Sequence, residues 1–443
     1  MTERSDILIV GGGLVGTSLA LALDAIGREV ALVEAALPHV AAPASDDNDR
    51  NLVLARASVN ALKVLGVWPQ LEASAGTIRR VEVSRAGEFG RVRMSADEVG
   101  VDALGRVVPG RVLAAALEQR LIACKHVHRL VPAKLEKLEP VHADSTQAGT
   151  GRPPHPPNAS RLPPSPPTRL GGEGWGEGVP RAAGWRARIA TADGEREIEA
   201  RLVVGADGSD SVVRAQVGVA ARQHDYAQIL FVCTVACERD IPDCAFERFT
   251  DNGPVALLPL PNQRRGLVLT VAAERHDEVA AMDDVTFVAL AQQRFGWKLG
   301  RLSRPGRRFP HRIRCVLADA LTAPRAALVG NAAQTVHPIG AQGFNLGLRD
   351  ALTLAELIAG ADDPGASSLL NEYASRRQPD REGVLAFSHG LVSLACLAQP
   401  ALAPLRSLAM LALDAAPPLR RVVARHGMGF RGTPPAAVLD AGP

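Results

Sequence analysis

The N-terminal run Asp6 to Val10 is apolar without alternation, the pattern of a parallel strand buried on both faces. A small-residue stretch, Thr17 to Ile26, then predicts a helix that Gly27 stops, and Glu29 to Val33 predicts a second strand. Helical periodicity returns at Ser58 to Leu65, at 112–123 and at Phe344 to Ala359. Short strands are expected at Lys134 to Glu139, Trp185 to Ala190 and Ala326 to Val329. Between about 222 and 318 the pattern changes. Ile229 to Val235, Val255 to Leu260 and Leu267 to Val271 mix apolar and polar positions with period two. That region predicts a mostly antiparallel sheet, one face covered and the other lining a pocket.

These elements give an α/β fold: a Rossmann-like nucleotide-binding domain interleaved with a mostly antiparallel substrate domain, then a helical C-terminal tail. The first is expected over 1–70, 105–142, 183–220 and 320–385, the second over 71–104 and 221–319, and the tail over 386–443. The segment 143–182 fits none of them. From Arg152 to Pro180, nine of 29 residues are proline and five are glycine, so a disordered excursion between two strands is expected.

Composition narrows the functional classes. With 443 residues, 47% hydrophobic, the chain can bury a large core and by length forms two or three domains. A net charge of +3 is too small to argue for nucleic acid. No run approaches the roughly 18 apolar residues of a membrane-spanning helix. The first strand begins at once, which leaves no room for a signal peptide, and a cytoplasmic setting is expected. The six cysteines form no CxxC pair and lack histidines at ligand spacing, so buried thiols are expected and no metal site.

The candidate chemistry lies at three glycine-punctuated strand ends. After the first strand comes Gly11-Gly-Gly-Leu-Val-Gly16, with Glu34 about twenty residues beyond the start. Gly11, Gly13 and Gly16 suit a tight turn, the close approach of a pyrophosphate, and close helix–strand packing; Glu34 can accept from ribose hydroxyls. The second is Leu202 to Arg214, where Asp207-Gly208 can turn a carboxylate toward a ribityl or ribose hydroxyl, or form an ordinary surface turn. The third runs from Val329 to Asp350, with Gly330, Gly340, Gly343 and Pro338 shaping a loop ahead of a helix. Free N–H groups and the positive dipole end at that helix start suit an anionic or electron-accepting ligand.

In these three motifs the sequence resembles the class A flavoprotein monooxygenases, the aromatic hydroxylases related to p-hydroxybenzoate hydroxylase. Within them it is similar to the ubiquinone-biosynthesis branch, on the side of the 2-octaprenyl-6-methoxyphenol hydroxylases. Branch matches are Asp49-Arg50, Leu65 to Trp68, Ala245 to Thr250, Gly253 to Pro259, Asn331 to Pro338, and Tyr373 with Arg376-Arg377. The resemblance covers nearly the whole chain except the insertion, and it implies FAD. Gly11, Gly13 and Gly16 would hold its pyrophosphate, Glu34 its adenosine ribose, and Arg50 the pyrophosphate region. Asp207 and Gly208 would touch FAD and the incoming pyridine nucleotide, and Asn331 would lie near the ribityl chain. Pro338 and the loop carrying Gly340, Gln342, Gly343, Phe344 and Asn345 would face the isoalloxazine ring. Two departures stand out. Val107 to Gly110 lacks a polar side chain common in the branch, and Gly340-Ala341 reverses its usual Ala-Gly order.

The resemblance further implies a polyprenyl phenol and O2 as substrates, and NAD(P)H as a transient reductant without a Rossmann domain of its own. Hydride would pass to flavin N5, and a C4a-hydroperoxide would then hydroxylate the ring. His337, on the third loop, is a candidate for easing phenol deprotonation, with a structural hydrogen-bonding histidine as the alternative. Leucines from Leu391 to Leu411 recur at helical spacing in the tail. They suit packing against the core or a second subunit, or peripheral contact with the inner face of a membrane and a ubiquinone-synthesis assembly. A sister hydroxylase acting on another ring carbon, or a flavin dehydrogenase or reductase, would share the same motifs.

Overall fold

The computed structural model describes residues 2–36, 51–142, 182–396 and 402–439. The expected excursion at 143–182 falls, but for its last residue, outside them, as do Asp49 and Arg50.

Strands and helices are numbered in chain order. The chain enters as β1 (Thr2–Val10), turns into α1 (Leu14–Asp24) and returns as β2 (Val30–Val33). Next come β3 (Asn51–Ala55), α2 (Arg56–Val64), β4 (Gly76–Ile78), β5 (Arg80–Arg85), β6 (Arg91–Ser95) and β7 (Gly105–Pro109). Then follow α3 (Gly110–Ile122), β8 (Val127–Leu130), β9 (Ala133–His142), β10 (Ala182–Thr191), β11 (Gly194–Gly205) and the short α4 (Val212–Gln216). The middle of the chain forms β12 (Ala221–Cys237), β13 (Cys244–Phe249), β14 (Val255–Pro259), β15 (Arg264–Ala272), α5 (His276–Ala281) and α6 (Asp284–Phe295). After it come β16 (Leu302–Ser303), β17 (Phe309–Ala318), β18 (Thr322–Ala323), β19 (Ala326–Leu328) and β20 (Gln334–Thr335). Four helices close the chain: α7 (Gln342–Ala359), α8 (Ser367–Cys396), α9 (Ala403–Asp414) and α10 (Pro417–Gly427).

The first sheet runs β18-β19-β11-β1-β2-β8, with β10 bridging β11 and β9. Its central strands are parallel, and Ile7, Leu8 and Ile9 are fully buried, as an unalternating apolar strand requires. Helix α1 packs between α3 and α7 on this sheet. It begins at Leu14, three residues before the sequence pattern suggested. Gly13 serves as its cap, so residues that read as glycine loop already form the first turn.

The second sheet runs β20-β17-β12-β15-β14-β13-β5-β6 and is antiparallel except where β13 meets β5. One face carries Phe231, Leu267 and Leu269 against Phe287, Ala291 and Phe295 of α6. The opposite face lines a cavity. A small sheet, β3-β7-β4, joins the two units. It can approach because Gly76 has no side chain: a Cβ there would lie 2.1 Å from the Pro259 carbonyl oxygen.

Four buried charges tie α7 to α8. Arg349 pairs with Asp380 at 2.7 and 3.1 Å, Arg377 reaches Asp380 at 2.7 Å, and Arg377 also reaches Asp350 at 2.7 Å. Burial alone would raise the Asp380 carboxyl, but the two guanidinium groups outweigh it and hold it below the usual range. The Tyr373 hydroxyl donates to the Leu328 carbonyl at 2.8 Å, which fixes α8 to the end of β19. Tyr373 and Arg377, read from sequence only as branch matches, are thus structural.

The tail docks on β6 and the turns on either side of it. Gly90 admits α9, Arg406 pairs with Glu88 at 2.6 Å, Arg93 with Asp414 at 2.8 Å, and Arg420 with Glu98 at 3.0 Å. Its leucines do not face the core: Leu405 is 65% exposed and Leu408 is 58% exposed. The side chains of Leu391, Leu394 and Leu397 lie outside the described residues.

Removing one member of the α7–α8 network leaves an uncompensated buried charge. Asp380→Asn is expected to destabilise the fold by about 3–5 kcal/mol, read as a lower urea midpoint at unchanged m-value.

Candidate active site

Three strand ends lie side by side at one edge of the parallel sheet. The Ala206 N–H donates to the Val10 carbonyl at 2.8 Å, and the Val329 N–H donates to the Gly205 carbonyl at 3.0 Å. The three glycine motifs therefore meet. Arg214, at the end of the second, donates to the carbonyl of Ala332 in the third at 2.9 Å, and the hydroxyls of Ser209 and Thr335 are 2.7 Å apart. These cross-links were not read from sequence, where Arg214 stood only as the end of the second motif.

The glycine requirement has two distinct causes. A Cβ on Gly16 would lie 1.9 Å from the Gly11 carbonyl oxygen, and one on Gly11, at φ +105°, would lie 2.4 Å from the Ala206 oxygen. The protein's own packing excludes side chains there. At Gly13 a Cβ would meet nothing within 4 Å, so this glycine borders open space beside the start of α1, which carries no side-chain cap. Glu34 ends β2 and accepts from the N–H groups of Gly12 at 2.6 Å and Ala36 at 2.8 Å. Uncapped N–H groups, an open glycine and an acid at the next strand end fit the pyrophosphate and ribose of FAD.

Asp207 is committed to its own chain. Its carboxylate accepts from the Ser211 hydroxyl and from the N–H groups of Val212 and Val213, at 2.7 and 3.1 Å, and so caps α4. Gly208 takes φ +84° beside it. The Asn331 side chain is exposed at the end of β19. Arg50 lies outside the described residues.

The third loop forms one wall of the cavity. Pro338, Gly340, Gln342 and Asn345 line it; Gly343 borders open space, and Phe344 packs toward the sheet core. The Asn345 amide is fully engaged, accepting from Ala55 N–H at 2.9 Å and donating to Val53 and Ala341 carbonyls at 2.9 and 2.7 Å. It pins β3 to the start of α7. Gln342 donates to the Gly340 carbonyl at 2.9 Å, while its buried Oε1 has no partner among the described residues. An orphaned acceptor beside an uncapped helix start suits a heteroaromatic ligand that carries N–H donors. The reversed Gly340-Ala341 pair has a backbone cost. Ala341 caps α7 in the left-handed region, at φ 51° and ψ 41°, where glycine is at ease. His337 is 2% exposed; its Nδ1 accepts from the Ile339 N–H at 3.2 Å, and its ring meets Tyr226 edge-on at 4.7 Å.

The cavity holds about 230 Å³ and is bounded by the second sheet, β3, β5, the third loop and the C-terminal helices. Val423, Ala424, Gly427 and Met428 close one side, and the Met428 carbonyl accepts the Ala57 N–H at 3.0 Å. The C-terminal segment from Val423 to Met428 is thus a cavity wall. Apolar side chains dominate the lining, and Glu247 of β13 is its one carboxyl group. The cavity reaches this side chain, yet protein surrounds it, and burial pushes its carboxyl up to about 7. The sequence carried it inside the matched stretch Ala245 to Thr250 without marking it. No helix is long and apolar enough to cross a membrane, and no cluster of three or more potential metal ligands occurs, among the described residues.

Two outcomes follow from this geometry. Gly13→Ala is expected to leave the melting temperature of the flavin-free protein unchanged but weaken FAD binding at least tenfold, whereas Gly16→Ala lowers both; flavin titration and thermal melts separate them. Glu247 has a folded pKa above its unfolded value, so its contribution to stability is full below the unfolded value near 4.5 and is lost as pH rises through about 7. Glu247→Gln should therefore raise the melting temperature at about pH 8, with the gain shrinking toward about pH 5.

The chain is similar to known proteins over most of its length. The family described as FAD binding domain matches residues 4–152 and 182–388. A ubiquinone hydroxylase, UbiL, of Rhodospirillum rubrum is 34% identical over 96% of this chain and 90% of its own. The 3-demethoxyubiquinol 3-hydroxylase of Escherichia coli is 31% identical over 97% of this chain and 99% of its own. The crystal structure of p-nitrophenol 4-monooxygenase PnpA from Pseudomonas putida shares the fold at TM-score 0.71 and 16% identity, covering 98% of this chain and 99% of that one. The chain belongs to the FAD binding domain family, as an FAD-dependent monooxygenase of the ubiquinone-hydroxylase branch.

Proposed function

We propose that the chain hydroxylates the ring of a polyprenylated phenol in ubiquinone biosynthesis, using NAD(P)H and O2. The observation that carries this reading is the apolar cavity bounded by the loop Pro338 to Gln342. Bound FAD would supply hydride acceptance from NAD(P)H and the activation of O2 for insertion of one oxygen atom. The protein's share is positional. Gly11, Gly13, Gly16 and Glu34 hold the adenosine and pyrophosphate end. Gly340, Gln342 and Gly343 border the ring end, where the start of α7 favours negative charge on the reduced cofactor. Asn345 keeps β3 against that loop, and His337 fixes the loop's turn through the Ile339 N–H. Leu230, Val268, Leu258 and Met428 exclude water from the reacting ring.

The substrate's prenyl tail needs an apolar route. Helix α10 supplies cavity residues on one side and exposes Leu419 and Val422 on another, and α9 exposes Leu405 and Leu408. This supports peripheral contact with a membrane surface, from which such a tail would pass to the cavity.

Sequence favours the 2-octaprenyl-6-methoxyphenol position. The Escherichia coli relative, named for hydroxylation at another ring position, supports a sister regiochemistry as the second reading. Cells lacking the protein are expected to accumulate a prenylphenol one hydroxyl short, and mass spectrometry of quinone precursors identifies the ring carbon. With purified protein, NAD(P)H, O2 and hydroxylated product should change in equal amounts. NAD(P)H oxidation without hydroxylation of any prenylphenol would leave only a reductase.

A further inference from the structure

The cavity wall carries one side chain that the fold does not use. Glu247 lies mid-way along β13 and faces the cavity with Ala245 and Phe249. Its neighbours across the sheet are Val83 of β5 and Ala256 of β14, and Ala256 pairs in turn with Val268 of β15. All three are apolar and line the same cavity. Among the described residues no donor or cation meets the carboxyl, and burial alone acts on its proton affinity. Nearby carboxylates are matched: Glu82 pairs with Lys298, and Glu88 with Arg85 and Arg406. An unmatched carboxyl in an apolar wall is costly, and such groups concentrate where a ligand completes them.

A second orphan lies on the same wall. Thr270 of β15 lines the cavity, and its buried hydroxyl has no hydrogen-bond partner among the described residues. Thr270 lies two strands over from Glu247 and two residues along, roughly 12 Å between backbones, so the hydroxyl and the carboxyl are separate polar points on an otherwise apolar surface. Phe249, two residues from Glu247 on the same face, packs against Ile339 of the flavin loop. The strand rise puts Glu247 roughly 7 Å along the strand from that contact, about the span of a phenol ring.

We propose that Glu247 is the catalytic base for the substrate's phenolic hydroxyl. This rests on the hydroxylase reading. As the ring carbon forms its bond to one oxygen atom derived from O2, the O–O bond breaks and the second oxygen leaves as water, with NAD(P)H supplying the two electrons. The phenolic O–H bond breaks in the same step, its electron pair moves toward the ring, and its proton joins the Glu247 carboxylate. Loss of the ring hydrogen as a proton to water then restores aromaticity, and Glu247 returns its proton to the phenolic oxygen of the product. The carboxyl pushed up to about 7 is divided between base and acid near neutrality, the range in which proton transfer in both directions is effective. Of the residues lining the cavity, the other titratable group is His337, whose Nδ1 is engaged by the Ile339 N–H.

The test uses the FAD-loaded enzyme, NAD(P)H and 2-geranylphenol as probe, with kcat, KM and flavin content measured between about pH 5 and 9. The wild type should gain kcat with an inflection near pH 7. Glu247→Gln should lose about 10²-fold in kcat and lose the inflection, with KM and flavin content little changed. Glu247→Asp should keep the inflection at reduced kcat. A flavin-loaded Gln variant with the wild-type kcat and pH profile overturns the assignment. Should the Gln variant fail to hold flavin, the Asp variant decides: wild-type kcat without an inflection overturns it, and reduced kcat with one supports it. A wild-type enzyme that consumes NAD(P)H yet hydroxylates no prenylphenol overturns the hydroxylase reading, and the role of Glu247 with it.

Discussion

The protein depends on a register: β19, β11 and β1 are hydrogen-bonded neighbours whose C-terminal ends stop at the same level. Val10, Gly205 and Val329 come from distant parts of the chain, yet the bonds Ala206 N–H to Val10 and Val329 N–H to Gly205 hold them together. Parallel strands need crossover connections, so sequence-distant loops collect at one edge, and a ligand crossing that edge touches all of them. Glycines 11 and 16 are then fixed by backbone contact alone, while Gly13 borders open space at that edge.

The third loop needs more support, because it must hold an uncapped helix start and a left-handed Ala341 beside a cavity. That support is electrostatic. Asp350 accepts from the Gly330 N–H at 3.2 Å and the Gln334 amide at 2.6 Å while pairing with Arg377. Arg377 and Arg349 share Asp380, so two cations and two anions balance inside the protein. Desolvating four charges is expensive, and such a network returns specificity of position more than net stability. The loop that lines the cavity thus inherits its position from α8, which packs against α7.

The cavity results from two units that each bury one face and share the other. The second sheet spends one face on α6 and turns the other toward the loop, β3 and the C-terminal helices. Period-two alternation puts Ala245, Glu247 and Phe249 on the cavity side and leaves Phe246 in the core. The tail completes the enclosure. Ion pairs from Arg406, Arg420 and Asp414 hold it, so its apolar side chains are free to divide between the cavity and the surface.

Local sequence determined a great deal. The run Asp6 to Val10, the glycines at 11, 13 and 16 and the acid at 34 specify a strand–turn–helix with a ligand-binding edge, because strand burial and glycine geometry are properties of neighbouring residues. The alternation from 222 to 318 likewise specified a two-faced sheet. Tertiary structure decided the assignments that depend on partners far along the chain. That Asp207 caps α4 and that Asn345 clamps β3 was not legible in the sequence, where both stood only as expected ligand contacts. Arg214, Met428 and Glu247 carried no local signal, since a hydrogen bond to Ala332, a cavity wall and an unmatched carboxyl exist only after distant strands and helices have packed.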